Sequence, residues 1–390
     1  MRVQVAIIGA GPAGLLLGER LGHAGIDAII LERQSPDYVL GRIRAGVLES
    51  GTIDQLRELG LGARVDAAGL RHGGIELCFD GGRHRIDLAG LTGGKHVTVY
   101  GQTEVTRDLM AARAAAGRTT VYNAEAVTPL DFDGEKPRVA YRLKGAEQTI
   151  RADFIVGADG HHGAARAALP GGAIAAFERV YPYSWLGLLA DVPPVSDELI
   201  YVRHPRGFAL CSMRSPTRSR YYLQAPADAR ADAWTPDSFF DELARRLDPE
   251  AAARLIRGPA LEMSVAPLRC FVAEPLRFGR LFLAGDAGHI VPPTGAKGLN
   301  LAASDAFYLA EAIQDFYDEK STAGIDAYSA RALARVWGAV RFSAQMTALT
   351  HQTPGDGGFD DRLQMANLRA LVRSETEARG LAENYVGLPY

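Results

Sequence analysis

The sequence predicts a mixed α/β (α+β) chain: a Rossmann-like first domain, an inserted antiparallel-sheet domain, and a mostly helical C-terminal region. Three observations carry the prediction. The first segment alternates an apolar run, a helical stretch and a second apolar run. From about residue 75 the hydrophobic period changes to two, and from residue 299 it takes helical spacing. These changes suggest units over 1–175, with an antiparallel piece near 73–100, then 176–290, and then 291–390.

Val3-Gln4-Val5-Ala6-Ile7-Ile8 has a strand's length, residues 13–23 have helical spacing up to Gly25, and Ala28-Ile29-Ile30-Leu31 is a second strand. That is a βαβ unit. Ile75, Leu77 and Phe79 then alternate before the turn Asp80-Gly81-Gly82, and a return strand is expected through 85–88. The strand Phe154-Ile155-Val156 restores the first domain's character. The runs 199–202, 208–213 and 220–223 look like a second antiparallel region. Residues 299–317, with Phe307, Leu309, Ile313 and Phe316, and residues 327–350 carry apolar side chains at helical spacing. There is no internal repeat or flexible linker, so the units should pack closely together.

With 390 residues, 47% of them hydrophobic, the chain can bury a substantial core. Its 43 basic and 46 acidic side chains leave a formal charge of −3, so no general field favours nucleic acid or an anionic membrane. Cys78, Cys211 and Cys270 are too scattered for a disulfide framework, and no CxxC pair suggests a metal; a cytoplasmic protein is expected. The N-terminal apolar run is too short to span a membrane and lacks a signal-peptide cleavage pattern.

Gly9-Ala10-Gly11-Pro12-Ala13-Gly14 is a GxGxxG that follows a strand and opens a helix. Gly9 permits the tight turn, Gly11 admits a pyrophosphate close to the backbone, and Gly14 allows helix and strand to touch. Free N–H groups at the helix start then face the phosphates. Glu32 ends the next strand, where a carboxylate can meet an adenosine ribose. Two further segments favour FAD over NAD as the bound nucleotide. Ala158-Asp159-Gly160 follows the third strand, and the apolar run 281–284 ends in Gly285-Asp286, placed to bind a ribityl chain. Asp286 by itself would read better as a helix cap. The Gly/Pro-rich stretch 292–300 enters a helix whose N-terminus suits an electron-rich ring edge.

Together, Gly9 to Gly14, Asp159-Gly160 and Gly285-Asp286 resemble the single-component flavin aromatic hydroxylases. Residues 29–49, 97–109, 199–220, 281–305 and 383–390 extend the resemblance over almost the whole chain, with departures at Gly288, Tyr183-Ser184 and 344–358. The resemblance implies an FAD domain, a substrate-binding antiparallel sheet and a homodimer. It also implies hydroxylation of 4-hydroxybenzoate to 3,4-dihydroxybenzoate with NADPH and O2, through a flavin C4a-hydroperoxide.

Side chains alternate along a strand, so Leu210, Ser212 and Arg214 share a face, as do Arg220, Tyr222 and Gln224. Arg214 can hold a carboxylate in a two-point fork, with Ser212 and Tyr222 as further donors. Read alone, the same face could be solvated. The resemblance implies the carboxylate site and puts Arg220 near the flavin. It further implies that Tyr201 meets the phenolic oxygen, Tyr385 meets Tyr201, and His72 passes the proton outward, a task suited to a side chain titrating near neutrality. Without it, the two tyrosines read as core aromatics and His72 as a loop residue. Pro293 and Thr294 are implied to line the pocket. For FAD the resemblance implies Arg44 and Gln102 at the nucleotide part, Asp286 at the ribityl chain, Leu299 and Asn300 at the pyrimidine edge, and Lys297 as a positive charge near the ring. No second GxGxxG exists, so NADPH is expected on the surface of the FAD domain. Arg33, Gln34, Tyr38 and Arg42 suit its 2′-phosphate, and His162 and Arg269 resemble pyrophosphate contacts.

Three other functions compete. A hydroxylase of another phenolic acid would share the FAD motifs, a dehydrogenase would share the first fingerprint, and a flavin-bound sensor would share both without turnover.

Overall fold

The computed structural model describes residues 1–42, 46–353 and 358–390. Strand β1 (Val5–Ile8) is buried at every residue because it lies between parallel neighbours, β2 (Ala28–Leu31) on one side and Phe154–Gly157 on the other. The full six-stranded order is Arg277–Phe278, Leu281–Leu283, Phe154–Gly157, β1, β2 and Thr120–Val121. Helix α1 (Pro12–His23) crosses over between β1 and β2 and packs against the helix Gly298–Asp318.

An eight-stranded sheet forms the second layer, ordered His289–Ile290, Ala260–Glu274, Ala175–Ala190, Arg218–Pro226, Ala209–Ser215, Ile200–Val202, Ile75–Phe79 and Gly82–Ile86. Every pairing in it is antiparallel except Ile200–Val202 with Ile75–Phe79. The two sheets are interleaved along the chain. The hairpin 75–86 belongs to the eight-stranded sheet although it precedes strand Phe154–Gly157, and Leu281–Leu283 returns to the six-stranded one. The return strand expected through Leu88 ends at Ile86, because Asp87 accepts from Gly90 N at 3.2 Å and starts the short helix Leu88–Leu91.

The C-terminal quarter is helical: Gly298–Asp318, Ala323–Thr350, Phe359–Arg373 and Glu375–Val386. The last three of these helices pack against the eight-stranded sheet, burying Trp185, Phe208 and Leu210 with Phe342, Met346 and Tyr385. Among the described residues no helix is long and apolar enough to cross a membrane, and no cluster of three potential metal ligands occurs.

Candidate active site

At the first turn, Gly9 has φ +107°, and a Cβ there would lie 2.3 Å from the Ala158 carbonyl oxygen. Gly14 packs just as closely, at 2.1 Å from Gly9 O for the same test atom. Gly11 is different: nothing lies within 4 Å of its Cβ position, at the N-cap of a twelve-residue helix without a side-chain cap. This open space, facing the unpaired N–H groups of a helix start, fits a pyrophosphate. Glu32 accepts from Ala10 N at 2.8 Å and Gln34 N at 2.9 Å, tying the loop to the end of β2. Asp286 is exposed with no hydrogen bond among the described residues, as a sugar-binding carboxylate requires. Asp159 accepts from Ala165 N at 2.9 Å in the first turn of Ala164–Ala167; its other oxygen is buried without a partner, and burial raises its pKa.

Arg44 lies outside the described residues. Gln102, half-buried, begins the helix Gln102–Ala115 beside Gly46. Asn300 uses its whole side-chain amide internally: Oδ1 accepts from Glu49 N and Thr52 Oγ1, and Nδ2 donates to Val47 O and Ala296 O. What Leu299 and Asn300 can offer a ring edge is therefore the backbone N–H groups of the helix's first turn. Lys297 is buried and ion-paired. Its Nζ donates to Glu49 Oε1 at 2.5 Å and to the Asn384 and Tyr385 carbonyls, because a buried ammonium is too costly to leave uncompensated. Glu49 also pairs with Arg335 at 2.9 Å, so two cations share one carboxylate.

Arg33, Tyr38 and Arg42 are exposed and Gln34 is half-buried, all following β2. His162 is exposed, and Arg269 is 3.9 Å from Glu178. Burial first, then Arg166 and Arg269, lower the pKa of His161, which packs on His162. The structure thus gathers His161, His162, Arg166 and Arg269. Arg166 was not visible as a candidate in the sequence; it donates to Ala287 O at 2.8 Å and lies over Phe271.

The substrate face is built by register. Tyr201 pairs with Leu210, Leu210 with Tyr222, Tyr222 with Gly187, and Gly187 with Ser264, so five strands contribute one row. Ser212, Arg220, Leu189 and Glu262 form the next row. Arg214 Nη1 reaches Ser212 Oγ at 3.3 Å and Met213 O at 2.9 Å, whereas its Nε is buried without a partner. Burial lowers the Arg214 pKa, with Tyr222 and Glu262 opposing it, and no carboxylate lies within ion-pair distance of Arg214 among the described residues. Arg220 donates to Glu262 at 3.2 Å and Ser264 at 3.0 Å but leaves Nε and Nη1 unpaired. Two guanidiniums facing one carboxylate leave a net positive site.

At the other end of the row, Tyr201 and Tyr385 are fully buried with their hydroxyls 2.7 Å apart, and Tyr201 donates to the Thr294 carbonyl at 3.1 Å. Burial pushes Tyr201 up to about 12 and raises Tyr385 well above the usual phenol range. Pro293 is exposed, and its carbonyl already accepts from Ala296 N at 2.9 Å. Thr294 Oγ1 accepts from Thr347. His72 is corrected in two respects. It ends the short strand Leu70–His72 instead of lying in a loop, and burial brings its pKa down to about 4, outweighing Glu198 and Asp197. Neither of its ring nitrogens has a partner, so no direct hydrogen bond links it to Tyr385. An aromatic wall completes the pocket: Trp185 packs on Tyr222 and donates to His351 Nε2 at 2.7 Å.

Comparison with known proteins gives four findings. A family model described as FAD binding domain matches residues 2–343. The chain is 54% identical over 390 residues to p-hydroxybenzoate hydroxylase of Acinetobacter baylyi, covering 100% of this chain and 96% of that one. It is 25% identical to 6-hydroxy-3-succinoylpyridine 3-monooxygenase of Pseudomonas putida, with 92% of each covered. Among solved structures, p-nitrophenol 4-monooxygenase from Pseudomonas putida superposes with a TM-score of 0.79 at 20% identity over 100% of both chains, which shows a shared fold.

Proposed function

We propose, from the premise that this chain belongs to the FAD binding domain family and to its p-hydroxybenzoate hydroxylase branch, that it converts 4-hydroxybenzoate to 3,4-dihydroxybenzoate with NADPH and O2. The observation that carries the substrate is the uncompensated guanidinium of Arg214, on a sheet face shared with Ser212 and Tyr222. A benzoate carboxylate is the anion that position lacks, and it can accept from Arg214 in a two-point, charge-assisted contact.

The phenol end then meets Tyr201. An electrophilic oxygen attacks a phenolate far more readily than a phenol, yet a permanent buried anion is costly. Tyr201 Oη accepts the substrate's proton as its own hydroxyl proton turns from the Thr294 carbonyl to Tyr385 Oη, 2.7 Å away, and Tyr385 in turn releases its original proton outward. Burial keeps both tyrosines protonated between transfers. His72, held neutral, is the proposed outlet, with Pro293 and Thr294 lining the approach.

FAD, when bound, supplies the redox chemistry. Gly9, Gly11, Gly14 and the start of α1 would hold its pyrophosphate and Glu32 its adenosine ribose. Asp286 would hold the ribityl chain, with Arg44, Gln102 and Asp159 around the nucleotide and the turn at Lys297, Leu299 and Asn300 along the ring. Arg33, Gln34, Tyr38 and Arg42 would take the 2′-phosphate of NADPH, and His162 and Arg269 its pyrophosphate. A cytoplasmic homodimer is part of the same proposal, resting on the family resemblance, as is the assignment of 1–175, 176–290 and 291–390 to FAD, substrate and interface roles.

The test is NADPH oxidation by the FAD-loaded enzyme with each hydroxybenzoate isomer, with identification of the product. We expect the para isomer to stimulate oxidation and to yield 3,4-dihydroxybenzoate in step with NADPH consumed. Faster coupled turnover of 3-hydroxybenzoate would overturn the substrate assignment.

A further inference from the structure

Glu262 stands in the row beside Tyr222, on the strand Ala260–Glu274, and no local sequence pattern marks it. Its Oε1 lies 3.2 Å from Arg220 Nη2, and Ser264 Oγ accepts from the same nitrogen at 3.0 Å while donating to Glu262 at 2.9 Å. Arg220 is held over the Tyr222 ring at 5.1 Å. Gly187 makes this possible, since a Cβ there would lie 2.9 Å from Arg220 Nη2 and 3.0 Å from the Tyr222 ring. The platform therefore carries two guanidiniums, the buried Arg220, which is ion-paired, and the half-buried Arg214, whose Nε is buried without a partner.

We infer that Glu262 is a positioning residue that sets substrate charge: by neutralising Arg220 it leaves one free cation in the pocket and selects phenols bearing a single carboxylate. The inference rests on the reading of Arg214 as the carboxylate's partner. A second carboxylate next to the first would approach Arg220, whose Nε and Nη1 are unpaired. With Glu262 in place it meets a like charge a short distance away, and in a desolvated pocket that repulsion is weakly screened. Without Glu262 the same carboxylate would gain a second guanidinium.

The test titrates the FAD-loaded enzyme with 4-hydroxybenzoate, uncharged 4-hydroxybenzamide and the dianion of 4-hydroxyphthalate, reading the flavin absorbance change. Glu262→Gln should tighten 4-hydroxyphthalate at least about tenfold, since removing a like charge even about 10 Å away at an effective dielectric of about 20 is worth more than one decade of affinity. Binding of 4-hydroxybenzamide should stay within about twofold, since a neutral ligand has no net charge to be repelled. Adding Arg220→Gln should cancel the dianion's gain. Parallel changes for all three probes, or no gain for the dianion, would overturn the inference. If Glu262→Gln does not fold, Ser264→Ala loosens the same contact and must shift the dianion in the same direction. Arg214→Gln separates the two readings: unimpaired 4-hydroxybenzoate binding in that variant would refute the Arg214 assignment, whatever Glu262 does.

Discussion

Tyr201→Phe isolates one oxygen atom. The ring that packs near Phe208 and Tyr385 stays, while the hydroxyl that contacts Tyr385 at 2.7 Å and Thr294 O at 3.1 Å is removed. Both former partners become buried groups without a hydrogen bond, at about 1–3 kcal/mol each, so folding stability should fall by about 2–6 kcal/mol. The chemical loss is separate. A positioned proton acceptor contributes about 10²–10⁴-fold to a rate, so hydroxylation should drop by at least about 100-fold. Substrate binding through Arg214 and flavin reduction should survive, and reduced flavin would then spend NADPH on hydrogen peroxide. The assay is product formed per NADPH consumed, with peroxide measured in parallel and thermal unfolding recorded on the same protein. Tyr385→Phe should shift the same ratio in the same direction. Wild-type rate and coupling in Tyr201→Phe would mean that another group takes the phenolic proton.

Gly11→Val should yield folded protein without FAD, since the side chain would occupy the open space at the start of α1; full flavin content on purification would contradict the pyrophosphate assignment. Replacing Arg33 and Arg42 by glutamine should raise the KM for NADPH far more than that for NADH, and equal changes would place these arginines away from the 2′-phosphate. His72 should make stability pH-dependent. Its folded pKa of about 4 lies below the unfolded 6.5, so its contribution is intact above pH 6.5, declines as pH falls, and is lost below about pH 4. The full loss is about 3 kcal/mol, taken from a shift of that size. Urea unfolding of the wild type and His72→Asn between pH 7 and pH 4 should therefore converge, and parallel curves would show that His72 does not titrate in this way.

The sequence alone determined those parts that depend on near neighbours. The turn at Gly9 to Gly14, the strand Phe154–Gly157 and the helix Gly298–Asp318 follow from spacings of a few residues, and they appear where those spacings put them. Strand alternation likewise puts Leu210, Ser212 and Arg214 on one face before any fold is known. Tertiary structure decided whatever depends on which strands become neighbours and what surrounds a side chain. Glu49 neutralises Lys297 across 248 positions of sequence. The hairpin 75–86 extends a sheet whose other strands begin a hundred residues later. Glu262 and Gly187 join Arg220 and Tyr222 only through cross-strand register. His72 carries an ordinary side chain whose low pKa comes from complete burial. Spacing sets the direction in which a side chain leaves the backbone, but charge balance and desolvation are set by the groups packed around it, and those arrive from distant parts of the chain.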